Sequence, residues 1–158
     1  MKTRVLWIED AALLDLNYLV GPVFFDGTLD LSITMSATEG LRKLTSDEFE
    51  CVVIDIRLPP GDDRRWIDLY NESGHNKAAA QLGLWLAQSV LRPRDEKTKI
   101  RLDEVPRWLS PSRVGFLSVE PLREVKPFID ALQVSTYKEK SIDDGDALLD
   151  VIKSVLRH

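Results

Sequence analysis

Three observations predict an α/β fold built on a parallel sheet. Strand-like and helix-like segments alternate along the chain, two of the strand-like segments are unbroken apolar runs, and each run stops at carboxylates. Val5-Leu6-Trp7-Ile8 runs into Glu9-Asp10, and Cys51-Val52-Val53-Ile54 runs into Asp55. Strands buried on both faces of a parallel sheet read this way, whereas half-exposed strands alternate. Parallel neighbours need crossover connections, and those crossovers are right-handed.

The elements follow in order. Val5–Ile8 is the first strand. Ala11 to Val20 carries Leu13, Leu14, Leu16 and Leu19 at helical spacing, and Gly21-Pro22 is expected to stop it. Leu29, Leu31, Ile33 and Met35 alternate with polar residues, which suits a half-exposed strand near a sheet edge. Ser36 with Glu39 forms a capping box that opens a helix through Leu41 and Leu44. Cys51 to Asp55 is the central strand, and Pro59-Pro60-Gly61 forbids its continuation. Residues 62–77 show no clear period and are expected to be an exposed loop. Ala78 to Leu91 is one helix, with Leu82, Leu86 and Val90 on a face and Arg92-Pro93 ending it.

Between Arg92 and Arg113 stand seven basic residues (Arg92, Arg94, Lys97, Lys99, Arg101, Arg107, Arg113) and four acidic ones (Asp95, Glu96, Asp103, Glu104), a local balance of +3. A solvated loop is the plain reading of this mixed-sign run, and a docking or nucleic-acid surface around Trp108 is the other. Val114–Leu117 returns to the strand pattern and ends at Ser118. A short helix is expected from about Pro121, limited or kinked by Pro127. Val134 to Tyr137 makes the last strand, ending near Lys138-Glu139-Lys140. Ser141 to Asp144 resembles a helix start, and Ala147, Leu148, Val151, Ile152 and Val155 form its apolar stripe. The content is five strands with about five helices in a single domain, 1–158, with no internal repeat.

The totals restrict function. With 158 residues, 44% hydrophobic and 30% charged, the chain can bury a real core and is neither disordered nor membranous in composition. A net charge of −5 disfavours a nucleic-acid coat. The single cysteine, Cys51, excludes an internal disulfide, and inside an apolar strand it is expected to be an inert buried thiol. The apolar run near the N-terminus is too short for a signal peptide or a span, so a cytoplasmic protein is expected. Neither a P-loop nor a dinucleotide fingerprint is present, and His75 and His158 are isolated.

At the carboxyl ends of the strands stand Glu9 and Asp10, Asp55, Ser118 and Lys140. That edge of an open parallel sheet is where ligands bind. Any one acidic residue there can be merely a polar strand end, but three carboxylates held together repel and need a cation. A hard divalent ion such as Mg²⁺ supplies it, with Lys140 adding a further positive charge. A carboxylate beside Mg²⁺, with a lysine and a hydroxyl to hold phosphoryl oxygens, is suited to accepting a phosphoryl group on Asp55.

In these residues the chain resembles the receiver domain of two-component response regulators, and the resemblance covers all five strand–helix units. It rests on Glu9-Asp10 after the first strand, on Asp55 with Pro59 four positions later, on Ser118, and on Tyr137 with Lys140. The steps of 45 residues from Asp10 to Asp55 and of 22 from Ser118 to Lys140 fit the family. The resemblance implies a flavodoxin-like (βα)5 three-layer sandwich with strand order 2-1-3-4-5. It implies Asp55 as phosphoacceptor, Asp10 as direct Mg²⁺ ligand, Glu9 acting through water and the backbone carbonyl of Arg57 completing the protein ligands. Ser118 would hydrogen-bond the phosphoryl group, Lys140 would pair with it, and Tyr137 would be the aromatic switch. The implied partners are a histidine kinase or phosphotransfer protein upstream and an unidentified protein downstream, with nucleic acid and membrane disfavoured. The responding face is the fourth helix (from about Pro121), the fifth strand and the C-terminal helix; self-association through it is left open. No enzymatic activity is implied beyond self-catalysed acceptance and hydrolysis of the phosphoryl group.

The chain also departs from the family. Asp55 and Ser118 are 63 residues apart, roughly thirty more than usual, so 62–77 and 92–113 read as enlarged loop insertions. Ser141 replaces the proline that normally follows the lysine, and Lys138 competes for the role of Lys140. Val119 stands where a small residue is common. A receiver-like interaction module that takes no phosphate is the alternative reading. A phosphatase of the haloacid dehalogenase type is a further rival, disfavoured because its nucleophile follows the first strand with an Asp two positions on, whereas Asp55 is followed by Ile56-Arg57.

Overall fold

The computed structural model describes residues 1–10 and 16–157. Five parallel strands, β1 Thr3–Ile8, β2 Leu29–Thr34, β3 Cys51–Ile54, β4 Val114–Ser118 and β5 Thr136–Glu139, form one sheet in the order β2-β1-β3-β4-β5. This is the expected 2-1-3-4-5 arrangement. Every residue of β3 and β4 is buried, as an unbroken apolar run demands. Strand β2 lies at an edge, and its Leu29, Leu31 and Ile33 are only partly buried, which accounts for its alternation.

Successive side chains of a strand point to opposite faces, so β1 and β3 feed two cores. Leu6, Ile8, Val52 and Ile54 lie in one, and Val5, Trp7, Cys51 and Val53 in the other. The helices are α1 Gly21–Asp26, α2 Ala37–Ser46, α3 Arg64–Glu72, α4 Lys77–Ala80, α5 Leu82–Leu91, α6 Leu122–Leu132 and α7 Ala147–Leu156. Apolar residues of α2, α3, α5 and α6 fill the first core, and those of α7 with Val23 of α1 fill the second. The result is helix, sheet, helix in three layers.

Several elements differ from expectation. The helix expected over Ala11 to Val20 lies partly outside the described residues; what is described is a π-helical turn, Leu16–Val20. Gly21-Pro22 does not stop the chain there, because Pro22 sits in the first turn of α1, where its missing N–H needs no partner. Gly27, at φ +76°, ends α1 instead. The Ser36 hydroxyl caps α2 by accepting the Glu39 N–H at 3.1 Å, but the Glu39 carboxylate accepts the Met35 N–H at 3.0 Å rather than that of Ser36.

Residues 62–77 are not a loop throughout. Asp63 accepts the Arg65 N–H at 2.9 Å and so caps α3, which buries Trp66 and Leu69 in the first core. The single helix expected over Ala78 to Leu91 is two, α4 and α5, divided at Gln81 in the left-handed region with φ 50°. Residues 92–113 are more than a solvated loop. Thr98, Ile100 and Leu109 are buried, Gln88 donates to the Thr98 hydroxyl at 3.3 Å, and Trp108 lies half-buried against Phe49 with ring centroids 6.1 Å apart. Trp108 is therefore partly packed onto the core.

Eight of the ten residues of α5 are buried, on nearly all sides of the helix, and it packs against α6 and α2. Trp66, Leu69, Ile100 and Leu109 share its core. Pro127 lies within α6 on the solvent side, where the carbonyl one turn earlier belongs to the exposed Arg123. Strand β5 lies two residues later than the Val134 to Tyr137 expectation, and α7 starts at Ala147, after the Ser141 to Asp144 turn.

Candidate functional site

The carboxyl edge of the sheet is set by hydrogen bonds that extend the ladders past the strands. The Glu9 N–H donates to the Thr34 carbonyl at 2.9 Å, the Asp55 N–H to Ile8 at 3.0 Å, and the Lys140 N–H to Ser118 at 2.8 Å. Glu9, Asp55, Ser118 and Lys140 are thereby held along one rim. Oxygens of Glu9, Asp10 and Asp55 lie within 4.8 Å of one another, with Glu9 and Asp55 buried and Asp10 half-buried. Among the described residues this is the one group of its kind.

Lys140 counters these charges. Its ammonium is bonded to the Glu9 carboxylate and lies 3.9 Å from Asp55 Oδ2. Lys138, the competing lysine, pairs instead with Asp144 at 3.3 Å and Asp150 at 3.7 Å. The ion pairs, not strand alternation, assign the site to Lys140, which lies just past the end of β5 and is followed by Ser141. Ser118 is fully buried, and its hydroxyl accepts the Glu120 N–H at 3.4 Å. Val119 is 49% exposed, so its bulk meets solvent at the rim.

Tyr137 is half-buried on β5. Its ring packs on Phe116 with centroids 6.1 Å apart, and its hydroxyl donates to the Glu120 carbonyl at 2.6 Å. Burial pushes the phenol well above its ordinary pKa, and the neighbouring carboxylates of Glu120, Glu139 and Asp55 push in the same direction. The hydroxyl is thus protonated and committed as a donor. The Arg57 N–H reaches Asp55 Oδ1 at 3.4 Å, and the Arg57 side chain turns to Glu120.

The loop after Asp55 is held on two sides. The carbonyls of Pro59 and Pro60 accept the Ala37 and Thr38 N–H groups at 3.0 and 3.1 Å, satisfying donors at the start of α2. Gly61 turns there at φ +81°. On the other side the Gly83 N–H donates to Ile56 at 3.0 Å, and a Cβ at Gly83 would lie 1.9 Å from the Asp55 carbonyl oxygen. Helix α5 therefore begins directly on the backbone of Asp55 and Ile56.

Three contributors escape sequence reasoning. Lys77 reaches the Asp10 carboxylate at 2.5 Å from within the inserted segment, and no local spacing links positions 77 and 10. Glu120 could have been found as a carboxylate two residues past Ser118 on the same strand end. Gly83 carries no signal beyond being a glycine in an apolar helix. Cys51 is buried, and burial pushes its thiol up to about 12, in keeping with an inert role. His75 is exposed, and His158 lies outside the described residues.

Three carboxylates facing two ammonium groups leave a rim of hard oxygen donors with net negative charge. Such a rim can hold a small divalent cation. No helix among the described residues is long and apolar enough to cross a membrane.

No family profile matches the chain, and no curated protein does. Solved structures do. A CheY-like response regulator receiver domain protein of Methanospirillum hungatei aligns over 99% of this chain and 95% of its own, with 20% identity and a TM-score of 0.64. The chemotaxis response regulator CheY4 of Vibrio cholerae aligns over 98% and 99%, with 14% identity and a TM-score of 0.60. The response regulator TrrA of Thermotoga maritima, in complex with Mg²⁺ and a beryllium fluoride, aligns over 98% and 99%, with 16% identity and a TM-score of 0.58. Identities this low speak to the fold, and the fold of this chain is that of the response-regulator receiver domain.

Proposed function

We propose that this chain is a signalling receiver that accepts a phosphoryl group on Asp55 from a histidine kinase or phosphotransfer protein and changes its partner-binding surface in response. The observation that carries the reading is the meeting of Glu9, Asp10 and Asp55 within 4.8 Å, with the Lys140 ammonium 3.9 Å from Asp55. An Asp55 carboxylate oxygen would attack the phosphorus of the donor, and the new O–P bond would form as the bond from phosphorus to the donor breaks.

Asp10 would ligate Mg²⁺ directly, Glu9 would act through water, and the Arg57 carbonyl would complete the protein's share. The ion, when bound, would neutralise charge developing on the transferred oxygens. Ser118 would donate its hydroxyl to one phosphoryl oxygen, and Lys140 would pair with another. The Ser118 segment would then shift, and Tyr137 is tied to that segment through the Glu120 carbonyl. The change would spread over the face formed by α6, β5 and α7, as a two-state element biased by local charge. That face would serve an unidentified downstream protein or a second copy. Self-catalysed acceptance and hydrolysis would be the whole of its chemistry, and the cytoplasm its location.

Incubation with acetyl phosphate and Mg²⁺ followed by intact-mass measurement tests the proposal. One added phosphoryl group in the wild type and none in Asp55→Asn is the expected result. An unchanged wild-type mass overturns it and leaves a receiver-like interaction module that is not phosphorylated.

A further inference from the structure

We infer that Lys77, at the end of the inserted 62–77 segment, is a built-in competitor for the divalent cation at Asp10, so that metal binding and the seating of α4 are coupled. The inference rests on the Mg²⁺ part of the function proposed above and assigns a role to a residue outside the receiver pattern.

The turn that presents Lys77 is pinned at both ends. Ahead of it, the Tyr70 hydroxyl donates to the His75 carbonyl at 2.8 Å. At Lys77 itself, the Asn76 side chain accepts the Ala78 and Ala79 N–H groups at 2.8 and 3.3 Å, fixing the first turn of α4. Behind it, Ala80 is buried in the core, and Gly83 is bonded to Ile56 beside the phosphoacceptor. From this platform the ammonium reaches Asp10 Oδ2 at 2.5 Å, across 67 positions of sequence.

An ammonium and a dication drawn to the same carboxylate repel each other, so one must yield. Lys77 is the group able to do so, because its side chain is 43% exposed and has a flexible four-carbon stem. Lys140 is 15% exposed and held by the buried Glu9, and stays. Binding of the ion at Asp10 therefore releases Lys77 and withdraws one of the ties on α4. The insertion becomes a reporter of metal occupancy on a surface next to the phosphoacceptor.

The test uses the full chain and titrates MgCl₂ calorimetrically at constant ionic strength into wild type, Lys77→Met, Lys77→Arg and Asp10→Asn. A half-exposed ion pair of this kind predicts Mg²⁺ binding about two- to fivefold tighter in Lys77→Met. Lys77→Arg, which keeps the charge, is expected to stay close to wild type. In the wild type, saturating Mg²⁺ should speed hydrogen exchange at the amides of Ala80 and Gln81, which close α4 on Asn76 and Lys77, and leave the β3 amides unchanged. Equal or weaker Mg²⁺ binding in Lys77→Met, or no faster exchange at these two amides, overturns the inference. If wild type binds Mg²⁺ and Asp10→Asn does not, that failure touches Lys77 alone. If wild type binds no Mg²⁺, the metal reading falls and this inference with it.

Discussion

Arg57 and Glu120 stand 63 positions apart in sequence and 2.6 Å apart in space, the guanidinium Nε donating to a carboxylate oxygen. The Glu120 side chain is 5% exposed and that of Arg57 40%. The pair fastens the loop that follows Asp55 to the loop that follows Ser118, and the Glu120 carbonyl receives Tyr137 from the far side. Glu120 thus joins three segments of the rim through one residue.

Removing the arginine leaves a buried carboxylate without its donor. Arg57→Met is expected to lower unfolding stability by roughly 1–3 kcal/mol, toward the smaller end because Arg57 is partly solvated. Glu120→Gln keeps an acceptor and should cost less. Urea titration of both variants checks this; an Arg57→Met chain as stable as wild type would show the contact to be idle.

Gly83 leaves no room for a methyl group. With its Cβ placed 1.9 Å from a backbone oxygen, Gly83→Ala requires α5 to lift from the Asp55 segment. Overpacking usually costs about 1–3 kcal/mol, and a clash with backbone lies at or above the upper end. Thermal denaturation measures the loss. A fall in phosphorylation by acetyl phosphate larger than the fall in folded fraction would show that α5 also positions Asp55.

Trp66 is fully buried, and its indole N–H has no hydrogen-bond partner among the described residues. Trp66→Ala is therefore expected to cost about 3–5 kcal/mol, as for other large core truncations. Trp66→Phe loses volume but no hydrogen bond and should cost well under half as much. Chemical denaturation of the two variants distinguishes a core anchor from a loop residue, for which both changes would be nearly neutral.

Asp63 gives α3 a pH dependence. The hydrogen bond from the Arg65 side chain, then that from its N–H and the charges of Arg65 and Arg42, hold the carboxyl below its usual range. A carboxyl lowered by folding contributes stability above its unfolded pKa and loses it as pH falls through the lowered, folded value. Asp63→Asn keeps the cap and loses the charge. It should destabilise by at most about 1 kcal/mol at neutral pH, since the Arg65 side chain is half-exposed and the pair partly solvated. Melting temperatures of wild type and variant, followed from pH 7 into acid, should converge; curves that stay parallel would refute the assignment.

Much of the rim could be read from the chain because apolar runs declare where strands end. Val5–Ile8 and Cys51–Ile54 are covered on both faces, so their last apolar residues fall beside Glu9 and Asp55 in sequence and in space. The apolar pattern points two residues too early for β5 because Val134 is a core residue that precedes the strand, while Thr136 to Glu139 is mostly polar at an edge. α3 leaves little trace in the sequence because two buried side chains in nine residues make too short a period. Gln81 breaks the α4–α5 run without the glycine or proline that usually announces a break. The contacts of Lys77 with Asp10 and of Arg57 with Glu120 depend on how an insertion seats itself in three dimensions, which no local spacing encodes.

With eight of its ten residues buried, α5 offers almost no position where a side chain is free to vary. The connecting segments after β3 also contribute buried residues, Trp66, Leu69, Ile100 and Leu109, to the core. Trimming either stretch to an ordinary receiver length would remove Trp66 and Leu69, or Ile100 and Leu109, from the core cluster they share with α5. The additional length is a structural commitment of this chain, and minimal versions of it will need a redesigned α5.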